Sequence, residues 1–295
     1  MAVARFQGLE RRFKGDVKLK EDYMQFLDEY EALGHMEKID SHEICATPNY
    51  FMPHHPVFKA SSSTTKTRIV FDASAATTSG KSLNDIIRAG PTIQQDIWSI
   101  IIRFRTHQVC FTADIAKMYR QIKVHPLDRR FQRIVWRKSP DEPLQEYELT
   151  TITYGTASAP FLATRCLHQL AIEEGQNFPR ATEVLDRDFY VDDCISGSQT
   201  VEEAMAVQKE LVQLLSMGGF LLRKWCSNEP QFLEAIPHEL RETQFPLQVE
   251  DKTHVTTLGL LWHTTDDKFQ IVNEITASNS IHFTKRKVLA VCISI

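Results

Sequence analysis

The chain lacks any apolar run approaching the roughly eighteen residues that read as a membrane span. Its start, Met1 to Gly15, carries Arg5, Arg11, Arg12 and Lys14 but no apolar stretch long enough for a signal peptide. There is no C-x-x-C pair. Six cysteines (Cys45, Cys110, Cys166, Cys194, Cys226 and Cys292) are scattered, which suits neither a zinc site nor a small disulfide scaffold and favours a reducing compartment. A Gly-rich phosphate loop is missing, so a doubly wound nucleotide-binding fold is disfavoured, and there are no internal repeats. Positive charge is not in excess: 34 Lys and Arg against 38 Asp and Glu give a net charge of −4. No global basic field advertises nucleic acid, and any polyanion contact must come from local clusters. What is present is a 295-residue chain, 42% hydrophobic and 24% charged. That is the composition of a soluble, intracellular globular protein of one large or two ordinary domains, with no membrane partner.

Local patterns give a mixture of helices and strands. Asp16 is placed to cap a helix whose apolar face is Leu19, Tyr23, Phe26, Leu27, Tyr30 and Leu33, ending near Gly34. His54-His55 follows in a proline-marked extended segment; a metal pair is one reading, but no third ligand lies nearby. Arg68 to Asp72 reads as a strand, Pro91 as the opening of a helix that buries Ile93, Ile97, Ile100, Ile101 and Phe104, and Gln108 to Asp114 as a buried strand. Gln121 to Val124 and Gln132 to Trp136 are further predicted strands, and a helix runs from Ala157 toward Ala171. Thr200 with Glu203 predicts a capping box for a helix ending at Gly218-Gly219. Strands resume around Val255 to Trp262 and Phe269 to Val272. Strands interrupted by long helices make the fold class α+β.

The chemistry-bearing stretch is Tyr190-Val191-Asp192-Asp193, followed by Cys194-Ile195-Ser196-Gly197. It reads as a short hairpin with acids at its tip. Adjacent carboxylates repel, and a divalent cation with hard oxygen ligands relieves that repulsion; a solvated loop is the other reading. Asp114 ends the strand Val109-Cys110-Phe111-Thr112-Ala113, where it is either a helix N-cap or a third acid converging on the hairpin. If the two segments lie side by side, they could hold two metals about 3.5–4 Å apart and clamp a phosphoryl transfer.

Six ordered blocks spanning nearly the whole chain carry a resemblance. Phe111 to Tyr119, continuing Arg120-Gln121-Ile122-Lys123-Val124-His125-Pro126, resembles motif A of reverse transcriptases, and Tyr190-Val191-Asp192-Asp193 resembles their motif C. Thr67 to Ser74 resembles the fingers strand that holds the incoming triphosphate. Tyr154 to Phe161 resembles motif B, Gly219 to Trp225 motif D, and Leu258-Gly259-Leu260-Leu261-Trp262 motif E, the primer grip. The wording of Pro53-His54-His55, Arg68 to Ser74 and Asp114 to Tyr119 is similar to the BEL/Pao class of long-terminal-repeat retrotransposons.

The resemblance implies a right-hand polymerase fold: fingers over 1–108 and 120–153, palm over 109–119 and 154–270 with an antiparallel sheet backed by two long helices, and a truncated thumb or connection over 271–295. It implies that Asp114, Asp192 and Asp193 are catalytic. Asp114, Ile115 (through its carbonyl) and Asp192 hold two Mg²⁺ ions, for which Mn²⁺ is an alternative, and Asp193 is a supporting acid. Arg68, Asp72, Lys117, Met118, Tyr119, Tyr154, Gly155 and Lys224 are assigned to the nucleotide. Arg68 suits a triphosphate because its planar fork binds phosphate bidentately. Tyr119 is placed as the steric gate against a ribose 2′-hydroxyl, and Gly155 lets backbone approach nucleotide or template closely. Tyr154 stands where retroviral relatives carry Gln. Lys224 is either a proton donor to pyrophosphate or a snorkelling surface lysine. Leu258, Gly259 and Leu260 belong to the primer grip.

The implied activity is RNA-directed and DNA-directed DNA polymerisation, with deoxynucleoside triphosphates added to a primer annealed to an RNA or DNA template. The expected location is cytoplasmic, virus-like particles included. Basic residues cluster at Arg129, Arg130, Arg133, Arg137 and Lys138, and again at Lys285, Arg286 and Lys287; the first group is read either as template-phosphate contacts or as a solvated strand face. Full family members continue into RNase H and integrase, with protease upstream, so a polyprotein fragment is expected. The rival expectation is a catalytically inactive nucleic-acid-binding or structural remnant of a decayed or domesticated retroelement. A nucleotide cyclase with a similar palm is disfavoured, because its Gly-Gly-acidic turn is missing.

Overall fold

The computed structural model describes residues 1–39, 48–58, 67–242, 254–257 and 260–271. In chain order the elements are α1 (Ala2–Gly15), α2 (Val17–Ala32), β1 (Met36–Lys38), β2 (His54–Phe58), β3 (Thr67–Phe71), α3 (Leu83–Ile86), α4 (Ile97–Phe104), β4 (Val109–Ile115), α5 (Met118–Gln121) and α6 (Pro126–Arg129). They continue with β5 (Arg133–Trp136), β6 (Gln145–Leu149), α7 (Ala159–Glu174), α8 (Pro179–Arg187), β7 (Phe189–Tyr190), β8 (Asp193–Ser198), α9 (Val201–Met217), β9 (Leu222–Ser227), α10 (Pro230–Glu234), β10 (His254–Thr257), β11 (Leu260–His263) and β12 (Lys268–Ile271). Two compact units share them. The first comprises Met1–Gln94, Lys117–Asn177 and Ser216–Phe220, and the second comprises Gln95–Ala116, Phe178–Leu215 and Leu221–Ile295.

The first unit is organised around aromatic residues of α1 and α2. Asp16 caps α2 as its sequence predicts, its carboxylate accepting from the Leu19 amide at 3.0 Å. Leu19, Tyr23, Leu27 and Tyr30 are buried, whereas Leu33 is exposed past the end of the helix. Tyr23 stacks on Trp136 with ring centres 5.5 Å apart, and Phe6 and Phe13 meet Trp136 edge-on. The antiparallel sheet β1-β6-β5 and the antiparallel pair β2-β3 complete the unit.

His54 lies in this core. Neighbours on a strand face opposite ways, so His54 is buried while His55 is exposed, and they do not form a chelating pair. His54 Nε2 donates to the Val135 carbonyl at 3.0 Å, leaving Nδ1 to accept the Tyr23 hydroxyl. Burial holds this imidazole neutral and pushes its pKa down to about 4.

The second unit is built on a four-stranded antiparallel sheet, β7-β8-β4-β9. Its interior pairings put small and sulfur-bearing residues together, as where Ala113 faces Cys194 and Thr112 faces Cys226. Ile100 and Phe104 of α4 pack with Cys110, Ile195, Cys226 and Trp262. A second antiparallel sheet, β10-β11-β12, carries Trp262, whose indole donates to Asp267 at 2.9 Å. Among the described residues no helix is long and apolar enough to cross a membrane.

Three local expectations are corrected. Pro91 does not open α4: the helix begins at Ile97, where Asp96 accepts from the Ser99 amide at 3.0 Å. A side-chain cap, absent at Pro91, decides the boundary. Gln121 ends a short helix, and only Lys123 makes an isolated bridge, to Thr151, where a strand was expected. Helices α1 and α8 lie where the sequence reading placed none.

Candidate active site

The second unit gathers the three acids. Strand β4 runs antiparallel to β8 in a continuous register from Val109 opposite Ser198 to Asp114 opposite Asp193. Val191 and Asp192 form the two-residue turn between β7 and β8. Asp192 is held against β4 through its carbonyl, which accepts from the Ile115 amide at 2.8 Å. Period-2 geometry alone would separate neighbouring carboxylates; the tight turn brings Asp192 and Asp193 to the same sheet end as Asp114.

That turn carries strain. Val191 has φ of 56°, in the left-handed region that a β-branched residue rarely adopts. Such a residue costs about 1–3 kcal/mol and persists where its surroundings fix it. Behind the hairpin, Arg103 donates to Asp188 at 3.0 Å and Ser196 donates to the other Asp188 oxygen at 2.7 Å. The Asp188 carbonyl accepts from Ile195 at 2.9 Å. Asp188 is therefore a structural acid that ties α4 to the hairpin, a role its position before the motif does not reveal.

The electrostatics at the sheet end are uneven. Burial, followed by the charges of Asp192 and Asp114, pushes the Asp193 carboxyl up to about 7, with Lys224 opposing. Burial also raises Asp192, and Asp114 adds to it, while a backbone hydrogen bond, Lys224 and Arg223 oppose. Asp114 has two basic neighbours on β9: Arg223 Nε lies 3.0 Å from Oδ1 and Lys224 Nζ lies 3.5 Å from Oδ2. Arg223 lies in the block that resembles motif D, and the resemblance gives it no role.

Among the described residues no three His, Cys, Asp or Glu side chains form a ready-made metal cage. This does not conflict with Mg²⁺, which is usually held by one or two carboxylates, waters and substrate phosphates rather than an all-protein cage. Hard oxygen donors at one end of a sheet, two of them raised by burial and mutual repulsion, have the chemistry that such an ion satisfies. Ile115 is buried at the end of β4, its amide already engaged by Asp192.

The residues assigned to the nucleotide, apart from Lys224, belong to the first unit. Arg68 is exposed on β3 and makes no ion pair among the described residues. Asp72 pairs with Arg5 at 2.7 Å and accepts from the Ser74 amide at 3.0 Å. Lys117 has a left-handed φ of 49° and pairs with Glu29 at 2.5 Å; Met118 is buried and Tyr119 is half-buried. The Tyr154 hydroxyl donates to the Ile69 carbonyl at 2.7 Å.

Gly155 has a close neighbour within its own unit. A Cβ there would lie 2.5 Å from the Phe71 carbonyl oxygen, and its φ is 101°. The missing side chain is needed by β3, whatever else approaches. Asn84, which sequence reading missed, bridges this loop: its amide donates to Ser74 and to the Gly155 carbonyl, each at 2.9 Å, and its oxygen accepts from Ala157 at 2.8 Å.

The first basic cluster is paired internally. Arg137 binds Glu10 through two contacts of 2.7 and 2.9 Å, Arg133 pairs with Glu148 and Lys138 with Asp28 at 2.7 Å each, and Arg129 reaches Glu37 at 3.4 Å. Arg130 sits 4.9 Å from the centre of the Phe131 ring. The second basic cluster, and the primer-grip residues Leu258 and Gly259, lie outside the described residues, and Leu260 begins β11.

No protein-family model matches the chain, and no curated protein does. Solved structures do. The chain is similar to the foamy viral protease-reverse transcriptase in complex with RNA/DNA hybrid, at a TM-score of 0.60 and 16% identity, covering 95% of this chain and 31% of that one. The same protein in complex with dsDNA gives 0.59 and 16%, over 93% and 47%. A dRH form in complex with ds DNA gives 0.56 and 18%, over 83% and 34%. The chain thus spans between about a third and about half of those chains' length. At such identities the likeness is one of fold: this mixed helix and antiparallel-sheet chain has a reverse-transcriptase-like fold.

Proposed function

We propose that the chain is the fingers and palm of an RNA-directed, and also DNA-directed, DNA polymerase of BEL/Pao type, extending a primer by metal-assisted phosphoryl transfer. The observation that carries this reading is the meeting of Asp114 and Asp193 across β4 and β8, with Asp192 at the adjoining turn, in a chain of reverse-transcriptase-like fold. The related structures were solved with RNA/DNA hybrid or double-stranded DNA, and a primed RNA or DNA template is the proposed partner here.

In this reading Asp114 and Asp192 hold Mg²⁺ (or Mn²⁺) and Asp193 supports them. Ions held there would supply the charge that lowers the pKa of the primer 3′-hydroxyl and offsets charge developing at the α-phosphate. The chain's own part is positioning. The β4–β8 register fixes the backbone positions of Asp114 and Asp193, the turn at Val191 sets that of Asp192, and the Asp188 network ties the hairpin to α4. Arg68, exposed and without an ion pair among the described residues, is assigned to the triphosphate, and Tyr119 to sugar discrimination.

One observation favours the alternative of a catalytically inactive nucleic-acid-binding remnant: both Asp114 oxygens are engaged by cations of β9. Primer extension on poly(rA)/oligo(dT) with Mg²⁺ decides between them. Incorporation that Asp192→Asn abolishes is expected; no extension at high concentration of folded wild-type protein puts the remnant reading in front.

A further inference from the structure

The pairing of β4 with β9 slips beside the acids. Thr112 faces Cys226, so a regular ladder would set Lys224 opposite Asp114; instead Arg223 stands there. One extra residue on β9 makes this a β-bulge, and Lys224 takes φ of 53° within it. In a regular strand two consecutive side chains point to opposite faces. Here the bulge lets both reach one carboxylate, Arg223 through Nε to Oδ1 at 3.0 Å and Lys224 through Nζ to Oδ2 at 3.5 Å. A left-handed lysine is uncommon, and its cost of about 1 kcal/mol marks a position held by its surroundings.

The consequence is selective. Of the three acids, only Asp114 has ion-pair partners among the described residues. The acid assigned to metal binding on β4 is therefore satisfied before any ion arrives. The Arg223 guanidinium is always charged and cannot yield by losing a proton, so it leaves Asp114 only by moving. Arg223 and Asp114 side chains are 34% and 19% exposed, a setting in which an ion pair is worth little enough to open.

We propose that Arg223 is a positioning residue that keeps Asp114 in a metal-excluding ion pair in the substrate-free chain, and that metal loading opens this pair. The inference rests on the polymerase reading of the acids. It makes the free chain a weak ion binder, with Arg223 and Lys224 as the local competitors of the divalent cation.

The test is Mn²⁺ binding to the full chain without nucleotide or template, followed by the loss of the free-ion signal in electron paramagnetic resonance. Arg223→Gln is expected to bind Mn²⁺ about three- to fivefold more tightly than wild type, the gain expected from removing a competing pair of modest strength. Arg223→Lys, which keeps the charge, is expected to stay within about twofold of wild type. The added affinity disappears when Asp114→Asn is combined with Arg223→Gln. A merely structural arginine predicts the opposite sign, since a loosened sheet end binds less ion. Equal or weaker binding by Arg223→Gln, with circular dichroism unchanged, overturns the proposal. If Arg223→Gln misfolds, Lys224→Gln carries the same test with a smaller expected gain. Primer extension by wild-type protein judges the polymerase reading separately, so the two failures are distinguishable.

Discussion

Asp114 on β4 and Asp193 on β8 are direct cross-strand partners. Like charges opposite one another destabilise a sheet by an amount on the order of 1 kcal/mol, and Asp193 answers with a pKa raised to about 7. A carboxyl whose folded-state pKa lies above its unfolded value loses stability as pH rises from about 4 through about 7. Asp193→Asn is therefore expected to raise the melting temperature of EDTA-treated protein by a few degrees at pH 8, and by much less near pH 4.5, while impairing incorporation. Scanning calorimetry at the two pH values checks this. A variant less stable than wild type at pH 8 contradicts it.

Val191 holds the turn in a conformation that glycine adopts freely. Relief of that strain outweighs the added freedom of the unfolded chain, so Val191→Gly is expected to stabilise the fold by about 1 kcal/mol. It should also slow nucleotide addition, because Asp192 loses its fixed aim. Urea unfolding paired with primer extension reads both effects, and a destabilised Val191→Gly refutes the assignment of strain.

His54 gives the first unit an acid limit. Its folded-state pKa of about 4 is below its ordinary value, so the unfolded chain takes up the proton first and stability falls as pH drops from about 6.5 toward 4. Between pH 7 and 5 the expected loss from this group is about 2 kcal/mol. His54→Gln, which does not titrate, should show a correspondingly shallower decline in urea midpoints, though it starts from lower stability. Parallel declines in the two proteins exclude His54 as the source.

Gly155→Ala is expected to destabilise the first unit by about 2 kcal/mol or more, because the added methyl meets the Phe71 carbonyl at a position of positive φ. The loss should show in protein carrying no nucleotide or template. Full wild-type stability in that state, with a defect confined to nucleotide affinity, would return Gly155 to the role the sequence implies.

The division between what could be read from sequence and what could not follows from range. Asp16 and its helix were legible because a cap and a 3.6-residue stripe are local signals. The hairpin carrying Asp192 and Asp193 was legible for the same reason, while its juxtaposition with Asp114 came from the resemblance. The bulge at Lys224, the pairing of Asp72 with Arg5 and the contact that requires Gly155 were not legible. Each depends on a partner at least 67 residues away or on a register slip that leaves no compositional trace. The basic cluster from Arg129 to Lys138 illustrates the hazard: its charges are visible in sequence, but the acids of α1 and α2 that pair with Arg137 and Lys138 are not adjacent to it.

If the acids at the end of β4 and β8 carry out metal-assisted phosphoryl transfer, nucleotide addition depends on the ion and on each metal-holding acid. Single-nucleotide addition to a primed RNA template, timed by rapid quench at increasing Mg²⁺, tests it most directly. The expected rate rises with Mg²⁺ and falls at least about a thousandfold in both Asp114→Asn and Asp192→Asn, with binding to the primed template retained. Addition at an undiminished rate by either variant, or no addition by folded wild-type protein that binds the primed template, would contradict it.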